Sequence, residues 1–169
     1  MNLILKKFIK DPKNIGAITP SSNRSAKKIA ELVNLKSTKN IIEIGGGTGA
    51  LSRYIKNKNL TIIERDKDLY EVLKRKYQNH NIVHNCGLEY LKKNVREEYG
   101  LVISIPMIKS DVKLNLINMI NQHLSENKIQ WFIILGYRYF NQFQPLGFKN
   151  KERHLVINNI PPAFIWHYF

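Results

Sequence analysis

The stretch Ile41-Ile42-Glu43-Ile44-Gly45-Gly46-Gly47-Thr48-Gly49 decides how the chain is read. Ile41, Ile42 and Ile44 have the apolar character of a buried strand. Four glycines in five residues follow, a turn that few side chains tolerate. Ala50, Leu51, Tyr54 and Ile55 then recur at helical spacing. Strand, glycine turn and helix together form the phosphate- or nucleoside-binding corner of an open α/β sheet. The glycines let backbone approach a ligand closely, and a helix N-terminus turns its amides toward it.

The corner alone leaves the ligand open. Gly45, Gly47 and Ala50 also satisfy a dinucleotide fingerprint, which accepts Ala in its third place. The next strand, Leu60-Thr61-Ile62-Ile63-Glu64, ends in an acid placed to accept ribose hydroxyls, a feature of nicotinamide and S-adenosylmethionine binders alike. Glu43 separates the two. A carboxylate two residues before the first glycine resembles the E-x-G-x-G-x-G start of class I S-adenosylmethionine-dependent methyltransferases. That resemblance implies that Glu43, Gly45, Gly47 and Gly49 surround the methionine portion of the cofactor, that Glu64 holds its ribose, and that Cys86 and Gly87 border its adenine. The family usually carries an acid at the Cys86 position, so that hydrogen bond is lost here or comes from Glu89 or a backbone amide.

Outward from the corner, apolar periodicity places a helix over 66–77, a strand in Asn81–Asn85 and a helix after Gly87. A fourth strand, Gly100–Ser104, runs into the loop Ser104-Ile105-Pro106-Met107. A helix over 111–127 turns Leu114, Ile117, Ile120 and Leu124 to one side. Ile129–Gly136 reads as a strongly apolar strand suited to the middle of a covered sheet. Tyr137 follows it, and residues 138–152 read as a loop whose Lys149 and Lys151, with Arg153 beyond, could meet phosphates. The last stretch reads as two strands across Pro161-Pro162, an antiparallel hairpin.

Length and composition set the bounds. At 169 residues the chain is expected to be one domain, 1–35 being N-terminal helices and 36–169 a Rossmann-like core. No apolar run reaches the ~18 residues of a membrane span, and the first ten residues make a poor signal peptide. The single cysteine, Cys86, excludes an internal disulfide and suits a reducing compartment. Without Cys/His clusters at ligand spacing, no metal is expected. The formal charge of +14 is uneven: the first forty residues carry nine Lys or Arg against Asp11 and Glu31, a net of +7. Such a patch attracts polyanions, whether RNA or an anionic lipid leaflet. On a helix, Met1, Ile4, Leu5, Phe8 and Ile9 oppose Lys6, Lys7 and Lys10. That amphipathic pattern suits either a membrane interface or the domain's own core. Thr19-Pro20-Ser21-Ser22 reads as a capping loop before a helix with Ile29, Leu32 and Val33 inward. The same loop is placed to act as a lid over the cofactor.

Two further resemblances bear on the methyl acceptor. Ser104-Ile105-Pro106-Met107 resembles the N-L-P-Y loop of ribosomal RNA adenine dimethyltransferases, and also the S-x-L-P loop of bacterial phospholipid N-methyltransferases, with one residue fewer here. The opening F-I-x-D-P-K-x-I-G-A-I-x-P-S-S and the closing N-x-P-P-A-F resemble the bacterial phosphatidylethanolamine N-methyltransferases. The resemblance implies an α/β, Rossmann-like, seven-stranded, mostly parallel sheet with a C-terminal antiparallel hairpin. It further implies methyl transfer from S-adenosylmethionine to a phospholipid amine by a cytoplasmic enzyme held peripherally at an anionic membrane. Ser104, Ile105 and Pro106 would face the reacting amine, and Tyr137 would orient the phosphate or amine. The alternatives are an RNA adenine methyltransferase, from which Ser104 and Met107 depart, and a non-catalytic basic protein that binds membrane or RNA.

Overall fold

The computed structural model describes residues 23–57, 59–105, 110–136, 147–157 and 162–169. The expected N-terminal amphipathic helix, the lid loop at 19–22, Pro106, Met107 and Tyr137 lie outside the described residues.

The chain alternates helix and strand: α1 (Asn23–Asn34), β1 (Asn40–Ile44), a 3₁₀ turn (Ser52–Tyr54), β2 (Leu60–Glu64), α2 (Lys67–Lys76), β3 (Asn81–His84), α3 (Gly87–Asn94), β4 (Tyr99–Ile103), α4 (Ser110–Ser125), β5 (Ile129–Gly136), β6 (Lys151–Val156) and β7 (Ala163–Tyr168). The seven strands form one sheet in the order β3-β2-β1-β4-β5-β7-β6. The first five are parallel, and β7 runs antiparallel to both β5 and β6. This is the class I methyltransferase architecture expected from the sequence.

Alternation along each strand feeds two cores. On one face Ile41, Ile62, Val102, Trp131, Ile133 and Ile165 meet α1 and α2 through Ala26, Ile29, Val33 and Leu73. On the other, Ile42, Ile63, Leu101, Ile103, Phe132 and Ile134 meet α3 and α4 through Leu91, Leu116, Met119 and Ile120. Burial on both faces explains why β4 and β5 read as near-continuous apolar runs. Asp66 caps α2 by accepting a hydrogen bond from the Leu69 N–H at 3.0 Å, which satisfies one of the helix's free amide donors.

Two local expectations are corrected. The spacing after the glycines predicts a helix, yet the chain makes one 3₁₀ turn and then extends at Ile55. The Asn34 side chain donates to the Tyr54 carbonyl and accepts from the Lys56 N–H, both at 3.0 Å, taking the groups a longer helix would need. In α4 the expected Ile117, Ile120 and Leu124 do pack into the second core, joined by Leu116, Met119 and the buried His123, while Leu114 is 59% exposed. His123 is a buried polar residue: its Nδ1 and the Tyr99 hydroxyl share a hydrogen bond of 2.7 Å, and burial lowers its pKa and keeps the ring neutral.

Gly100 shows how tightly the sheet centre is packed. It pairs with Trp131, and a Cβ there would lie 2.0 Å from the indole Cζ2. The indole cannot retreat freely, because its N–H donates to Thr38 Oγ1. Gly100→Ala is expected to cost about 2–3 kcal/mol by overpacking. For a domain of this size the melting temperature should drop by very roughly 5–10 °C, as a thermal scan followed by circular dichroism would show.

Candidate active site

The sheet order reverses direction beside β1: β2 continues to one side and β4 to the other. Open α/β sheets bind ligands at such a switch point, outside the carboxyl ends of the strands. Backbone hydrogen bonds join the strand ends there. The amides of Gly45 and Gly46 donate to the Ile63 carbonyl, and that of Ser104 donates to the Ile44 carbonyl. The glycine turn leaves β1 at this point with positive φ at Gly45, Gly47 and Gly49, a region where side chains strain the backbone.

The turn is braced from three sides. Glu64 accepts from the Gly47 N–H at 2.8 Å through Oε2 and from the Asp66 N–H at 2.8 Å through Oε1. The Tyr77 hydroxyl donates to the Gly49 carbonyl at 2.7 Å, and Lys76 Nζ donates to the Thr48 carbonyl at 3.0 Å. Tyr77 also fills the space a Cβ at Gly49 would need, its ring lying 2.3 Å from that position. In the sequence Tyr77 reads only as an inward helix residue. Its role as a brace needs the return of α2 to the loop, which no local pattern announces.

Glu43 is the most unusual group in this region. It is 0% exposed. The Ser52 hydroxyl donates to Oε2 at 2.7 Å, and the Ser104 hydroxyl makes a longer contact of 3.5 Å with Oε1. Burial pushes its pKa up to about 8, against the opposing pull of the two hydroxyls. Ser52 was not singled out by the sequence, since only the turn brings it back over β1.

The structure brings together Glu43, Gly45, Gly47, Gly49, Glu64 and Ser104 through these contacts. Ile105 joins them: its Cγ1 lies 2.5 Å from where a Gly45 Cβ would stand. Cys86 takes the N-cap position of α3 without a side-chain capping bond, and the Asn85 N–H donates to the Glu64 carbonyl at 3.2 Å. Asn85 Oδ1 accepts from the Cys86 N–H at 2.7 Å. Gly87 lets α3 approach β1, since a Cβ would lie 2.4 Å from Ile44 Cγ2. A separate groove lined by Lys39, Asn40, Asn59, Asn81 and Arg96 opens at the amino ends of the strands, the edge where this fold does not place its chemistry.

The donor set fits S-adenosylmethionine. Each Glu64 oxygen holds one backbone N–H, and a carboxylate has about four acceptor sites, so two ribose hydroxyls can be received as well. Glu43 is a buried carboxyl that forms no ion pair among the described residues, and the cofactor's ammonium would supply a counter-charge.

The comparisons with known proteins agree with this geometry. Residues 20–161 match the family model for ribosomal RNA adenine dimethylase. The chain belongs to the ribosomal RNA adenine dimethylase family. It is 32% identical over 131 residues to ribosomal RNA small subunit methyltransferase A of Hydrogenobaculum sp. (strain Y04AAS1), covering 70% of this chain and 48% of that protein. The chain thus spans about half the length of the curated relatives it matches. Among solved structures, a dimethyladenosine transferase from Plasmodium falciparum superposes with a TM-score of 0.62 at 16% identity, covering 85% of this chain and 60% of that one. A methyltransferase complexed with SAH superposes at 0.63 with 10% identity, covering 92% and 54%. These two likenesses show the fold, and the family's cofactor is S-adenosylmethionine.

Membership in the dimethylase family overturns the phospholipid reading, and with it the reason to invoke a membrane partner. The physical source of that error is visible in the hairpin. In N-x-P-P-A-F, Ala163 and Phe164 open β7, and Ala163 is fully buried in the core. Ala163 and Phe164 thus serve the packing of the last strand, which is a property of the fold and not of the acceptor.

Proposed function

We propose that the protein methylates adenine in RNA, with ribosomal RNA as the substrate class, using S-adenosylmethionine. The observation that carries this reading is the dimethylase family match across residues 20–161. The formal charge of +14 supports it, because lysines and arginines release counterions from phosphates.

In this reading S-adenosylmethionine supplies an electrophilic methyl on a positive sulfonium. Glu64 accepts the ribose hydroxyls, and its bonds to Gly47 and Asp66 fix the turn around them. Glu43 faces the methionine ammonium. Cys86 and Gly87 border the adenine, where backbone and Asn85 replace the usual acid. Catalysis then rests mainly on positioning the acceptor amine. Ser104 stands where N-L-P-Y loops carry Asn. With its hydroxyl proton directed at Glu43, its lone pairs are left to accept from an adenine exocyclic amine. Ile105 is the apolar floor next to it, and Pro106 and Tyr137 remain proposed members of the acceptor side.

Ser104→Ala should therefore lower kcat about tenfold, the worth of one hydrogen bond near 1.5 kcal/mol, with little change in cofactor affinity. Ser104→Asn should retain or raise activity. Radiolabelled methyl transfer to small-subunit ribosomal RNA tests the whole reading. Adenine N-methylation supports it, and a protein that binds cofactor yet leaves RNA unmethylated overturns the substrate assignment.

A further inference from the structure

Three metal-ligating side chains meet on the β6–β7 hairpin, away from the glycine turn. Glu152 and His154 lie two residues apart on β6 and so share a face, and His167 pairs opposite Glu152 on β7. His154 Nε2 lies 3.4 Å from Glu152 Oε2, and His167 Nδ1 lies 3.6 Å from the same oxygen. All three ligand atoms fall within 4.8 Å of one another. His167 is 2% exposed. Neither of its ring nitrogens, nor His154 Nε2, has a hydrogen-bond partner among the described residues. Buried imidazole nitrogens without partners are costly, so their presence calls for an explanation.

We propose that Glu152, His154 and His167 bind a divalent zinc-class metal ion that staples the edge strand β6 to β7. Ligands on a zinc ion at about 2.0–2.2 Å stand roughly 3.3–3.5 Å apart in a tetrahedron, close to the two distances to Glu152. Two imidazoles and one carboxylate form a borderline donor set suited to zinc. Glu152 is half exposed and His154 partly so, so an ion can reach the cluster from the Glu152 side. Lys36, over the Phe169 ring on this face, opposes a cation, and the Glu152 carboxylate offsets it. Linear spacing did not reveal the site, because His167 reaches it only through strand pairing.

The test uses the full chain without an affinity tag, titrated with Zn²⁺ in a calorimeter and with Co²⁺ in a spectrophotometer. One ion should bind per chain, and cobalt should give the visible bands of a low-coordinate nitrogen–oxygen site. His154→Ala and Glu152→Gln change partly exposed groups and should fold as wild type does. Each should weaken Zn²⁺ binding beyond the roughly 10–100-fold that loss of an outer-shell partner costs. His84→Ala, which removes an imidazole on β3, should leave binding intact. The absence of a stoichiometric event in the wild type overturns the site, as does binding that survives both substitutions or is lost with His84. The readout is independent of methyl transfer, so it stands or falls apart from the proposed enzyme activity.

Discussion

Glu64→Ala should abolish measurable S-adenosylmethionine binding, raising the dissociation constant by at least about 100-fold. Two ribose hydroxyls would lose a charged acceptor, and hydrogen bonds to charged groups contribute ~1.5–3 kcal/mol each. The same substitution releases the Gly47 and Asp66 amides, which lose their acceptor together. The turn and the start of α2 therefore loosen along with the ribose site. Glu64→Gln should do little better. Its amide nitrogen would have to face one of those two N–H groups, placing donor against donor. Calorimetric titration of the three proteins decides the matter. Cofactor affinity within tenfold of wild type in Glu64→Ala would remove Glu64 from the binding site.

Glu43→Gln should separate stability from binding. A carboxyl whose folded pKa stands near 8, against an ordinary 4.5, keeps its proton in the folded chain after the unfolded chain has lost it. Between those values the folded state binds more protons, so stability falls as pH rises, by about 1.4 kcal/mol per unit for one group. The penalty is absent below pH 4.5 and complete above pH 8. Gln keeps the hydrogen-bonding capacity toward Ser52 and Ser104 without that cost. The variant should thus be more stable than wild type by on the order of 3 kcal/mol at pH 7, and equally stable at pH 4. It should bind S-adenosylmethionine more weakly, because the ammonium loses its counter-charge. Binding by wild type should also release a proton near pH 7, detectable as a buffer-dependent heat. Denaturant melts at pH 4 and pH 8 check the first part. Identical wild-type and variant curves at both would show that Glu43 ionises at its ordinary value. A buried carboxyl that destabilises the free protein and serves its ligand is a familiar mark of a functional site.

Much of this is legible in the sequence itself. Ile41, Ile42 and Ile44 announce a strand covered on both faces, and the glycines can only turn. Glu64 is fixed in place by the length of its strand. The failures share one cause: they depend on residues distant in sequence. The helix after Gly49 shrinks to one turn because Asn34, on another element, takes its backbone groups. The α4 stripe holds at Ile117, Ile120 and Leu124 but turns past Leu114, because Leu116, Met119 and a His123 hydrogen-bonded to Tyr99 share the buried face. Ser52, Tyr77 and the Glu152–His154–His167 cluster become visible only when strands and loops return to each other. The acceptor is not legible because Ala163 and Phe164 of the closing motif serve the packing of β7.

The strand order β5-β7-β6 also sets a sequence of events. Among the described strands, β6 is hydrogen-bonded to β7 alone, while β7 has β5 on its other side. The edge strand therefore has no template until its successor exists. The two must zip together and then dock, or β7 must seat first and recruit β6. Opening follows the reverse route: any fluctuation that frees β7 from β5 strips the sheet of β6 as well. Native-state amide exchange should accordingly find protection falling in the order β5, β7, β6.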